Sequence, residues 1–171
     1  IIRRDLDVLT QLAKHARVKV TLSAAFEDDE TARLLEPFAS PISKRFETMR
    51  ILADAGIEVG ISLAPIIPGI NESSVSKLLE RAKENGASFA FIQLVRLSRE
   101  VLPVFLERLG GGELNDASFG ARMRGEGERW KLVEQLFRMQ TKKLGLRGGE
   151  EVISDVRTTF ERPKRQLTLF G

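Results

Sequence analysis

Cysteine is absent from all 171 residues. That excludes disulfides, a thiolate nucleophile, a cysteine zinc site and any iron–sulfur cluster held by this chain's own thiolates. Long apolar runs are missing as well. No segment approaches the roughly 18–20 uninterrupted apolar residues of a membrane span, and no signal peptide precedes the first helical pattern, so a cytoplasmic protein is expected. Excess charge of one sign is small: 27 Lys and Arg against 24 Asp and Glu leave a formal net charge of +3. Such a balance does not argue for nucleic acid by itself, although it leaves room for a local basic patch. The single histidine, His15, stands beside Lys14 and Arg17, the setting of a surface residue rather than of a base or ligand. No serine lies in a nucleophile-elbow pattern, and "GGGE" and "RGEG" lack the strand and helix context of a phosphate loop.

What remains is a folded-domain composition, 42% apolar and 30% charged, long enough for one domain with a sizeable core. Leu6, Leu9, Ala13 and Ala16 recur at helical spacing and predict a helix over 5–16. Residues 17–23 alternate polar and apolar side chains and predict a strand. Asp28, Asp29 and Glu30 suit the positive end of a short helix running to Leu35. Ser40-Pro41 has the form of a helix start, after which Ile42, Phe46, Met49 and Leu52 share a face and Gly56 suits the closing turn. Ile57 to Ala64 is apolar almost throughout and reads as a strand covered on both faces. Asn71 or Ser73 is the expected cap of a helix whose apolar face is Val75, Leu78, Leu79 and Ala82, ending at Gly86.

A third strand is predicted over 89–97, with Gln93 and Arg96 as polar intrusions; a buried arginine demands a carboxylate or the mouth of a site. A short helix over 100–109, a glycine-rich loop with Arg122 and Arg124, and a last long helix from Trp130 to Leu144 follow. The alternation predicts parallel βα units. The expected fold is α/β: a half TIM-type barrel of about three parallel strands over 1–105, a glycine-rich loop plus helical extension over 106–146, and a basic tail over 147–171. In such folds ligands bind beyond the carboxyl ends of the strands, which directs attention to 23–26, 65–72 and 93–98. Pro65 and Pro68 stiffen the middle loop and Gly69 permits close backbone approach. Half a barrel leaves one sheet face and one strand edge open, so association of the isolated chain is expected. The first residue, Ile1, suggests that the chain starts inside something larger.

The stretches "RRDLDVLTQLA", "ARLLEPFASPISKRFETMRILADAGIEVGISLAPIIPGINES", "LVRL" and "GELNDASFGARMRGEG", in this order, resemble the carboxyl-terminal part of radical S-adenosylmethionine proteins of the spore-photoproduct-lyase-like group. The similarity runs from about residue 3 to 146. The resemblance implies a partial barrel holding a 4Fe-4S cluster and S-adenosylmethionine at its carboxyl edge, with a lyase-type role in nucleic-acid repair. It places Ser23 and Arg45 near the ribose or amino-acid part of the cofactor. It places Pro65, Ile67, Pro68, Gly69 and Asn71 near the adenine, with Leu94 and Arg96 on the following strand. The group's Cys-x3-Cys-x2-Cys is missing together with the first half of the barrel, so this chain supplies no cluster ligand and is expected to be inactive alone.

At the end of the chain, Gln166, Leu167, Leu169 and Phe170 form "QLTLF" with Thr168. Large apolar residues on a basic tail suit insertion into a partner's groove, and the pentapeptide resembles the peptide by which bacterial polymerases and repair proteins bind the sliding clamp. Lys164 and Arg165 beside it favour an assembly near nucleic acid. A non-catalytic module that docks on the clamp is the alternative to the enzyme.

Overall fold

The computed structural model describes residues 2–67, 69–95, 100, 128–148 and 159. Pro68, Arg96, the glycine-rich loop and the QLTLF residues lie outside this set. Among the described residues, a 3-10 turn at Ile2–Asp5 leads into α1 (Leu6–Ala13), β1 (Lys19–Ser23), α2 (Asp29–Leu35), α3 (Ile42–Asp54), β2 (Glu58–Ile66), a 3-10 turn at Glu72–Ser74, α4 (Val75–Glu84), β3 (Phe89–Leu94) and α5 (Glu128–Leu144). The three strands form one sheet in the order β1-β2-β3, parallel throughout. The protein is therefore α/β, with helices as the crossovers between parallel neighbours.

Register sorts the side chains. Val20 pairs with Val59, Leu22 with Ile61, Ile61 with Ala90 and Leu63 with Ile92, so one face is a continuous apolar surface. Against it lie Ile42, Phe46, Met49 and Leu52 of α3, Val75, Leu78, Leu79 and Ala82 of α4, and Val133 and Phe137 of α5, all buried. Each such side chain contributes about 1.5–3 kcal/mol relative to exposure. The faces expected for α3 and α4 are buried, whereas α1 buries none of its residues and Leu6, Leu9 and Ala13 are only half-covered.

The other sheet face departs from expectation. β2 is not covered on both sides: Thr21 and Ser23 are exposed, and Ser62, Ala64 and Phe91 are only half-buried on this second face. The run from Ile57 to Ala64 is apolar because its alternate residues are small, with Gly60, Ser62 and Ala64 opposing the large Val59, Ile61 and Leu63. Phe89 is the exception, because its ring lies where a Cβ at Gly60 would stand. Glu58 and Arg147 form an ion pair at the same end, and the Arg147 guanidinium lies 6.0 Å from the Phe89 ring centroid. Arg147 also bridges Phe89 in parallel, so the sheet pairing continues into residues just past α5.

Helix ends follow glycine where the sequence places it. Gly56 and Gly86 have φ of +77° and +91°, the left-handed conformation that closes a helix at low cost. The start of α3 differs: Pro41 stands at its boundary without a side-chain cap, and Ser40 offers its carbonyl to Arg45 instead. The free amide at Ser43 is met by Asp29 from α2. Among the described residues no helix is long and apolar enough to cross a membrane.

Candidate ligand-binding edge

The loop after β2 is organised by one buried side chain. Asn71 is 1% exposed. Its Oδ1 accepts from the Ile67 amide at 2.7 Å, and its Nδ2 donates to the carbonyls of Ala25 at 2.8 Å and Pro65 at 2.9 Å. One carboxamide thus fastens the loop after β2 to itself and to the segment after β1. The sequence suggested Asn71 or Ser73 as the cap of the next helix; α4 instead begins at Val75, four residues beyond Asn71 and after the 3-10 turn, and the Asn71 side chain turns inward. Gly69 adopts φ +87°, is exposed, and donates its amide to the Glu72 carboxylate. The Ala64–Pro65 peptide is cis. Ile66 and Ile67 are buried anchors, 0% and 3% exposed, and among the described residues of this loop Pro65 is half-buried and Gly69 exposed.

The end of β1 is fixed by Arg45. Its Nη1 donates to the Ser23 carbonyl at 3.0 Å, its Nε to the Ser40 carbonyl at 2.8 Å, and its Nη2 to Glu36 Oε2 at 2.6 Å. The pair Arg45–Glu36 is largely shielded, at 11% and 23% side-chain exposure. Ser23 and Arg45 are thus brought together, but every guanidinium nitrogen is engaged by protein acceptors. Arg45 holds the Ser23 backbone; the Ser23 side chain lies on the open sheet face. A shallow hollow beside it, lined by Leu22, Ser23, Ala24, Arg45, Phe46 and Met49, belongs to the helix side and has no room for a guest.

Leu94 is buried at the end of β3, and the Val95 amide donates to the Ile66 carbonyl at 2.9 Å, which aligns the ends of β2 and β3. Ser23, Pro65, Ile67, Gly69, Asn71 and Leu94 therefore share one edge, with Arg45 behind it. Sequence reasoning missed the partners that shape this edge: Glu36 and the carbonyl of Ala25, for which the local sequence carries no signal. It also missed the open-face pair Ser62 and Phe91, opposed in register, which only strand pairing could disclose.

The acidic groups nearby are structural. Asp28 caps α2 through the Thr31 amide at 2.7 Å and hydroxyl at 2.9 Å, and those bonds hold its carboxyl below the usual range. Asp29 accepts from the Ser43 hydroxyl at 2.6 Å and amide at 2.8 Å, with the same effect on its acidity. Among the described residues no group of three or more His, Asp and Glu side chains is placed to hold a metal.

No family model matches the chain, and no solved structure matches it. It is similar to the uncharacterized protein ORF301 of Acidianus two-tailed virus, 29% identical over 68 residues. The matched part is 40% of this chain and 22% of the relative's length.

Proposed function

We propose that the chain is the carboxyl-terminal portion of a radical S-adenosylmethionine enzyme of the spore-photoproduct-lyase-like group, contributing one wall of the cofactor site in a TIM-type partial barrel. The carrying observation is the Asn71 carboxamide, which ties the loops after two parallel strands together at the edge where such cofactors bind. The in-order similarity of residues 3–146 to that group supports the same assignment. The residues fit S-adenosylmethionine in part. The Ser23 hydroxyl and the Pro65 ring are available to a ligand, whereas Arg45 and Asn71 spend their hydrogen bonds on positioning and the Gly69 amide is spent on Glu72. S-adenosylmethionine held there would, on taking one electron from a reduced cluster in the complete protein and releasing methionine, supply hydrogen-abstracting radical chemistry. The 4Fe-4S cluster does not fit this chain, which has no thiolate to hold it; its ligands belong to the amino-terminal half of the barrel. That half is also the partner expected over the open sheet face.

The decisive test is genetic and then chemical. Coding sequence upstream of Ile1 should encode an in-frame Cys-x3-Cys-x2-Cys, and the longer protein, reconstituted with iron and sulfide and reduced, should convert S-adenosylmethionine to 5′-deoxyadenosine. A stop codon directly upstream, or a longer protein that forms no cluster, overturns the assignment.

The QLTLF sequence favours a second role, docking on the bacterial sliding clamp near nucleic acid. A peptide of residues 160–171 should bind purified clamp at micromolar concentration and lose binding on Leu169→Ala with Phe170→Ala. Absence of binding, or no loss, rejects it.

A further inference from the structure

The outward face of α5 carries charge of one sign. At about 100° per residue, Lys131, Arg138 and Lys142 fall on one line, Leu132 and Met139 on a second line beside it, and Lys143 beyond them, all within about 140° of arc. All six side chains are exposed, the apolar pair at 65% and 62%. The acid between Lys131 and Lys143 is Glu134, which is half-buried and off this arc. On the neighbouring helix α4, Ser76 meets Gln140 at 3.2 Å, so Glu80 and Lys83, one and two turns further on, border the same surface and cancel in charge. Among the described residues Arg138, Lys142 and Lys143 make no ion pair, whereas Arg3, Lys44, Arg45 and Lys77 all do. In a chain whose formal net charge is +3, this face concentrates cations.

The composition of the face discriminates among anionic partners. A phosphodiester backbone offers nothing to cover Leu132 and Met139. Protein interfaces are depleted in lysine, and Lys131, Lys142 and Lys143 supply most of the charge here. A bilayer of anionic lipid meets both features, its headgroups facing the cations and its acyl boundary receiving apolar side chains that stand between them. We propose that the outward face of α5 is a docking surface for an anionic lipid bilayer, on which the helix lies flat. Two inserting side chains make the attachment weak, reversible and sensitive to salt. This inference is independent of the cofactor assignment, since the face includes no residue of the ligand edge.

Co-sedimentation of the full chain with lipid vesicles tests it. The chain should pellet with vesicles of phosphatidylglycerol and stay in solution with vesicles of phosphatidylcholine, and high salt should release it. Arg138→Gln with Lys142→Gln should weaken partition about 25-fold, about fivefold for each charge removed beside an anionic surface. Lys44→Gln with Lys77→Gln removes the same charge from other surfaces and should leave partition unchanged. Leu132→Ser with Met139→Ser should weaken it, and circular dichroism should not change in any variant, because every replaced side chain is exposed. A chain that stays in solution, that pellets equally with phosphatidylcholine, or that loses as much on the Lys44 and Lys77 exchange overturns the proposal. Retention on a short nucleic-acid duplex or on an acidic protein, without vesicle binding, also overturns it and assigns the face to that partner.

Discussion

At the scale of single residues, Asn71 has the largest expected effect for its size. Replacing it by Leu leaves the Ile67 amide and the Ala25 and Pro65 carbonyls without their partner in a buried place. Each orphaned group costs about 1–3 kcal/mol. Urea unfolding of Asn71→Leu should show a loss of at least about 2 kcal/mol, and Asn71→Asp, which supplies no donors to the two carbonyls, should not rescue it. Near-native stability of either variant would mean that the loop is held elsewhere. Gly60 offers a contrasting case, in which the chain needs the absence of a side chain. Its missing Cβ leaves the space that the Phe89 ring fills, so Gly60→Ala should destabilise by about 1–3 kcal/mol, with recovery when combined with Phe89→Leu. Absence of recovery would place the strain in the backbone instead. Both residues illustrate the limit of sequence reading: Asn71 and Gly60 are visible as types, but what each meets depends on neighbours distant in the chain.

At the scale of elements, most of the fold was legible. The period of Ile42, Phe46, Met49 and Leu52 and that of Val75, Leu78, Leu79 and Ala82 specify α3 and α4, and the alternation of 17–23 specifies β1, because one-sided burial imposes periodicity on a sequence. The ties between elements were not legible. Arg3 joins the first turn to α3 through the Thr48 hydroxyl at 2.7 Å and Glu47 at 3.1 Å, and Asp29 joins α2 to Ser43; no local pattern announces either. These ties predict an acid sensitivity. Hydrogen bonds from Arg3, then from Lys44, hold Glu47 at about 2 against an ordinary 4.5, and Asp28 and Asp29 are lowered too. A carboxyl whose acidity is greater in the folded state stabilises above its unfolded value and loses that contribution as pH falls through the folded one. The melting temperature should therefore decline between about pH 4.5 and 2, more steeply in low salt because these groups face water. Glu47→Gln should flatten that decline, and an unchanged slope would show that the Arg3 tie does not persist in solution.

At the scale of the whole molecule, the described core lies on one side of the sheet. The apolar faces of α3 and α4 meet Val59, Ile61 and Leu63, and α5 packs against α4 and β3, while the reverse face carries Thr21, Ser23, Ser62 and Gln93. The apolar run of β2 concealed this asymmetry, since small residues score as hydrophobic without filling a core. The asymmetry can be measured with paired substitutions on neighbouring strands. Leu63→Ala removes a side chain that is 0% exposed and should cost about 2–5 kcal/mol. Thr21→Ala, on the open face, should stay within about 0.5 kcal/mol of wild type. If the amino-terminal half of a barrel covers that face in a longer protein, Thr21→Ala should become costly there while the penalty at Leu63 stays the same. Equal costs at Thr21 in the two forms would mean that the added segment leaves this face open, and that the barrel closes along some other surface.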